Sequence, residues 1–150
     1  MTTLRNILLI ALALLVQSTY FGTMHFYTIR PDLGMLVLIF IAGQSSTAGC
    51  TLYGFLIGFL QDVYTPEYLG YNAFTMSLMG FLIGILKETM TVENYGLKTL
   101  ATFLACLIHD LIYLGFYTSL DFSLSLKLFI KGSLLGAVYT STLAFLFIAA

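Results

Sequence analysis

Residues 97–117 read LKTLATFLACLIHDLIYLGFY. Crossing the hydrocarbon core of a bilayer takes roughly 20 apolar residues in a helix, and this run has that length. Beyond Lys98 its only side chains of the Asp, Glu, Lys, Arg and His types are the adjacent His109 and Asp110. It reads as a membrane-spanning helix, and the rest of the chain repeats the pattern. Apolar runs separated by short breakers predict spans over about 4–22, 32–47, 49–65, 70–87, 96–118 and 124–149. Arg30-Pro31-Asp32 opens the second run, with Pro31 suited to a first helical turn. The breakers Thr65-Pro66-Glu67 and Lys87-Glu88 close the third and fourth.

The composition agrees. Of 150 residues, 59% are hydrophobic and 9% charged, with mean hydropathy +0.97. A soluble domain carries about 25% charged residues, so this chain cannot clothe a globular surface in polar groups. Disorder needs low hydrophobicity and high net charge, and is excluded by the same figures. Six Lys and Arg against seven Asp and Glu, net −1, leave no basic footprint for nucleic acid. Six spans consume about 120 residues, which leaves only turns and tails outside the bilayer. The predicted fold is a single all-α integral membrane domain of residues 1–150, six transmembrane helices in a compact bundle of three hairpins. Arg5 before a leucine-rich stretch also fits a signal peptide. No small-x-small cleavage site follows the run, so a retained helix is expected.

The second and third runs are short. Leu33 to Ala42 spans only if Gly43 to Ala48 extend the helix or turn near the interface, and five spans is the competing count. Tyr20, Tyr27, Tyr64, Tyr68, Tyr71 and Tyr117 cluster at the first, third and fifth turns. Six spans put those turns on one side, as an interfacial aromatic belt requires, whereas five would split them. Charge does not orient the chain. Arg5, Lys87 and Lys98 on one face balance Arg30, Lys127 and Lys131 on the other.

Three GxxxG motifs, Gly54/Gly58, Gly80/Gly84 and Gly132/Gly136, mark places where helix backbones can approach closely. Internal packing is the plainer use for them, and a docking groove for a partner's helix is the functional one. Ionisable groups inside a membrane are costly, about 2.5–3.5 kcal/mol for one at mid-depth, so each needs a partner. Counting outward from the turn at Leu120-Asp121 sets Asp110 level with Lys131, a candidate buried pair. Counting from the turn at Glu67 sets Asp62 level with Asn72, whose side chain could donate to that carboxylate while Asp62 caps backbone donors. Cys50 and Cys106 lie in apolar stretches and read as small buried residues, with no disulfide framework or thiolate metal site.

Catalysis finds little support. Ser133, His109 and Asp110 lack a Ser-His geometry, and adjacent His and Asp are expected to point to different helix faces. His25 and His109 give no haem pair. No cofactor and no metal is expected.

The succession Arg30-Pro31-Asp32-Leu33, then Gly54-Phe55-Leu56-Ile57-Gly58-Phe59-Leu60-Gln61-Asp62, then Leu69-Gly70-Tyr71-Asn72-Ala73-Phe74 and Leu78-Met79-Gly80-Phe81-Leu82-Ile83-Gly84 resembles the rod shape-determining protein MreD family. The resemblance is strongest from Arg30 to Lys87. It implies a non-catalytic inner-membrane scaffold with both termini in the cytoplasm. Such a scaffold binds the bitopic partner MreC and sits in the elongation machinery that links MreB filaments to the glycosyltransferase RodA and its penicillin-binding transpeptidase. Carried over by motif, Pro31, Asp32, Gly54, Gly58, Asp62, Gly70, Asn72, Gly80 and Gly84 would shape the bundle and its partner groove. That family is similar in fold to the substrate-binding subunits of energy-coupling-factor vitamin transporters, which gives the alternative of a small-solute binder. Those subunits carry Ala-xxx-Ala on the first helix, whereas here Ala11 and Ala13 are two apart.

Overall fold

Short polar residues set the helix boundaries in the computed structural model, which describes residues 2–22, 32–64, 69–89, 95–118 and 121–149. Helix α1 is Thr2–Gly22. Asp32 caps α2 (Leu33–Ala42), its carboxylate accepting from the Met35 amide at 3.0 Å. Ser46 caps α3 (Thr47–Val63) by accepting from the Gly49 amide at 3.2 Å. Such caps satisfy amides that the first helical turn leaves without an intrahelical partner. Gly70, at φ +103°, makes the turn into α4 (Tyr71–Thr89). Helix α5 is Tyr95–Tyr117. Asp121 then caps α6 (Phe122–Leu128) through the Ser123 and Leu124 amides. Helix α6 runs through a π-helical turn, Phe129–Ser133, into α7 (Leu134–Ala149), so the three pieces make one rod. The described residues thus form six rods, and no strand occurs among them.

These helices follow the expected runs closely except in the second. A span over about 32–47 was expected, with Gly43 to Ala48 either extending the helix or turning; α2 stops at Ala42 and Gly43 to Ser46 form the turn into α3. The Gln44 amide donates to Ile41 O at 3.0 Å, while Ser46 is already committed to capping α3. At 1.5 Å per residue α2 is about 15 Å long, half of a hydrocarbon core.

Burial explains how so short a helix fits. Met35, Leu38 and Ile41 of α2 are fully buried, and α2 touches α1, α3, α4, α5 and α7. It forms the centre of the bundle, with longer helices around it. Ile10, Ile57, Met76 and Cys106 complete the core from four of those neighbours. The outward faces are apolar too: Leu4, Leu8, Leu12 and Leu15 on α1 and Phe55 and Phe59 on α3 are all exposed. A continuous apolar exterior suits lipid and not water. By length and composition, Thr99–Tyr117 and Phe122–Leu146 are each long and apolar enough to cross a membrane.

Candidate functional site

The tightest feature of the molecule is the seam between α3 and α4. A Cβ added to Gly58 would collide with the backbone of Asn72 and Ala73, and one added to Gly54 with the backbone of Met76. From the other side, Gly80 lies against the Cys50 carbonyl, and Gly84 against Thr47, whose Cα would be 2.9 Å from the added atom. Each step of four along α3 meets a step of about four back along α4. The two GxxxG motifs therefore form one antiparallel contact, each accommodating the partner helix's backbone. The Thr47 hydroxyl donates to Gly84 O at 3.1 Å and fixes the end of the seam. These four glycines are spent inside the hairpin. The plainer of the two sequence readings holds for them, and they leave no groove there for a partner helix.

Asp62 closes the opposite end. It is fully buried and accepts three backbone N–H bonds: Gly70 at 2.8 Å, Ala73 at 2.9 Å and Asn72 at 3.1 Å. These are amides of the turn and first turn of α4, where a carboxylate also meets the positive end of the helix dipole. Asp62 and Asn72 do meet, as the count from Glu67 implied, but through the Asn72 backbone rather than its side chain.

Beside this cap lies a polar layer that sequence reading did not assemble. Asp32 Oδ1 accepts from Gln61 Nε2 of α3 at 3.3 Å, and the Asp32 amide donates to Thr140 Oγ1 of α7 at 3.0 Å. His109 Nδ1 lies 3.1 Å from Asp110 Oδ1, and its Nε2 lies 3.3 Å from Thr75 Oγ1 of α4. Thr75 also donates to Tyr71 O at 2.9 Å. Tyr113 and Tyr117 stack in sequence below His109, with ring centroids about 6 Å apart. Tyr71 and Phe74 of α4 meet Phe116 of α5. The start of α4 and the end of α5 are thus neighbours. The layer ties α2, α3, α4, α5 and α7 together in the half of the bundle that carries these aromatics.

The far end is held by cations. Lys87 Nζ donates to Ala42 O at 3.0 Å and to Ser45 O, and Arg5 donates to Gln44. Lysine at these carbonyls caps the C-terminus of α2 favourably. Arg5 and Lys87, assigned to one face from the sequence, indeed meet one turn.

Two expectations are corrected. Asp110 does not pair with Lys131: among the described residues its carboxylate meets His109, Oδ1 to Nδ1 at 3.1 Å, and Lys131 is exposed on the π-turn. Equal depth was not enough, because helix rotation turns Lys131 outward. His109 and Asp110 were also expected to diverge. They touch, since adjacent side chains stand only about 100° apart on a helix and both can lean into the gap. Pro31, Glu67, His25, and the side chains of Tyr20, Tyr27 and Tyr68 lie outside the described residues. Cys50 and Cys106 are buried free thiols. Among the described residues no cluster of three His, Cys, Asp or Glu could hold a metal ion.

The fold and the site define a helical membrane protein in which Asp32, Thr75 and His109 bind helix to helix. The family described as rod shape-determining protein MreD matches residues 1–150, and the chain belongs to that family. It is accordingly a membrane protein of the rod-shape-determining class. No curated protein and no solved structure matches it.

Proposed function

We propose that this chain is a non-catalytic scaffold subunit of the rod complex in the bacterial inner membrane. In this reading it crosses the membrane six times with both termini in the cytoplasm. It binds MreC and helps couple MreB filaments to peptidoglycan synthesis by RodA and its transpeptidase. The family match over residues 1–150 carries this reading. The interior supports it, because Asp32, Asp62, Thr75 and His109 are engaged in caps and helix-to-helix bonds, the usage a rigid scaffold needs. Pro31, Asp32, Gly54, Gly58, Asp62, Gly70, Asn72, Gly80 and Gly84 act by shaping the bundle. Partner contact falls to its outer apolar faces, since the α3–α4 seam is filled.

Co-purification of the full chain with MreC from membranes tests the proposal. Recovery of MreC is expected, and depletion of the chain is expected to round rod-shaped cells. A chain that purifies with a vitamin bound, or that restores vitamin uptake, belongs instead to the solute-binding alternative and overturns the scaffold reading.

A further inference from the structure

The His109 ring is buried inside the apolar stretch Thr99–Tyr117, eight residues or about 12 Å from Tyr117. Each ring nitrogen meets one group, and counting hydrogens around the ring sets how many protons the site holds. The Thr75 hydroxyl has a single hydrogen and lies 2.9 Å from Tyr71 O, one turn back in its own helix. A helical threonine commonly donates to that carbonyl. With its hydrogen spent there, Thr75 Oγ1 meets His109 Nε2, 3.3 Å away, as an acceptor, so Nε2 carries a hydrogen. On the other side of the ring, Nδ1 lies 3.1 Å from Asp110 Oδ1. A neutral imidazole protonated at Nε2 has a bare lone pair at Nδ1. Against an ionised Asp110 that lone pair would set two acceptors face to face with nothing between them.

We propose that His109 and Asp110 form a proton-binding site in the membrane interior, which holds one proton between Nδ1 and Oδ1 besides the hydrogen on Nε2. Imidazolium with carboxylate and imidazole with carboxylic acid are two placements of that same proton. Among the described residues the ring is the one donor that Asp110 meets, and the Asp110 side chain is 32% exposed. A lone carboxylate there is costly in a bilayer, and the shared proton makes the pair neutral. The other charge acting on the ring is Asp32 of α2, whose Oδ1 takes the Met35 amide and Gln61. With two carboxylates beside one ring, the proton brings the cluster from two negative charges to one. Of the other helices on α5, α4 has Lys87 bound to Ala42 O at the far end, and α7 brings the Thr140 hydroxyl, which donates to Gly136 O. Lys127 and Lys131 are exposed, and Tyr113 stacks on the ring from α5 itself. Loss of the proton turns Asp110 away from the ring and opens the cluster. The site needs no partner and stands apart from the scaffold reading.

The test is ring-nitrogen NMR on the full chain in nanodiscs at about pH 7.5, where a free imidazole is mostly neutral. The chain has two histidines, His25 and His109, so His25→Gln leaves a single labelled ring. Infrared spectroscopy reads Asp110, as the carboxylic-acid band that Asp110→Asn removes. A protonated Nε2 is expected, with one further proton on Nδ1 or on the Asp110 carboxyl. Asp110→Asn should leave Nε2 protonated and Nδ1 bare, because the new amide donates to Nδ1 and no extra proton is needed. A bare Nε2 in the unaltered pair overturns the proposal, as does a bare Nδ1 beside an ionised Asp110. A ring that stays doubly protonated in Asp110→Asn overturns it too, since the proton would then not be shared with Asp110.

Discussion

The α3–α4 hairpin and the α5–α6 hairpin are both antiparallel pairs joined by short turns, yet they pack in opposite ways. In the first, Gly54, Gly58, Gly80 and Gly84 let two backbones touch, and Asp62 ties the turn with three amide bonds. In the second, Leu111, Leu114, Phe122 and Phe129 flank a groove, and α6 has no fully buried residue. The difference shows what closes a helix pair where lipid is as apolar as any side chain. Large apolar residues gain little by meeting each other, whereas small residues gain close backbone contact, and a buried acceptor gains the amides it satisfies.

Substitutions can break this contrast, and they rank by how much backbone they disturb. Gly58→Leu should cost more than about 3 kcal/mol, because the added side chain meets main chain at Asn72 and Ala73, which cannot rotate away. Reversible unfolding in mild detergent measures it, and an unchanged midpoint would mean the seam is not closed. Asp62→Ala should cost about 2–3 kcal/mol by stranding the Gly70, Asn72 and Ala73 amides, and Asp62→Asn less, since one acceptor oxygen remains.

Gly70→Ala isolates backbone conformation from space. Among the described residues, its chain neighbours apart, no atom lies within 4 Å of the position a Cβ would take, yet φ is +103°. A loss of about 1–2 kcal/mol should therefore come from conformation alone. Thr75→Val combined with His109→Gln should show a coupling of about 0.6 kcal/mol in a double-mutant cycle, the usual scale for hydrogen bonds between membrane helices.

The open hairpin should respond least. Lys131→Gln should stay within about 0.5 kcal/mol in zwitterionic lipid, as exposed positions do. Lys131→Met should not rescue Asp110→Asn, because Asp110 is paired with His109. Rescue would restore the Asp110–Lys131 pair and close the second hairpin after all.

The same contrast marks what could be read in advance. The glycine motifs were legible because their signal is spacing along one helix, and Asp62 was legible because its partners lie eight to eleven residues away around a single turn. The polar layer was not. Asp32 to Thr140 and Thr75 to His109 join residues 108 and 34 apart, and no local pattern announces them. The short α2 lay between these cases. Its apolar core was visible, but Gly43 to Ser46 could continue a helix or turn it, and Ser46 capping α3 decides for the turn.

By itself the sequence determined an all-helical chain for lipid, with 9% charged residues, six apolar runs and Asp32 opening the second. Hydropathy and capping are properties of contiguous residues, so they need no knowledge of the rest of the molecule. Only the tertiary structure decided that α2 is the centre, that the two glycine motifs face each other, and that Lys131 points outward while His109 holds Asp110. Each of those depends on how a helix is rotated about its own axis. That rotation is set by all of its neighbours at once, through close packing and the need to satisfy every buried polar group.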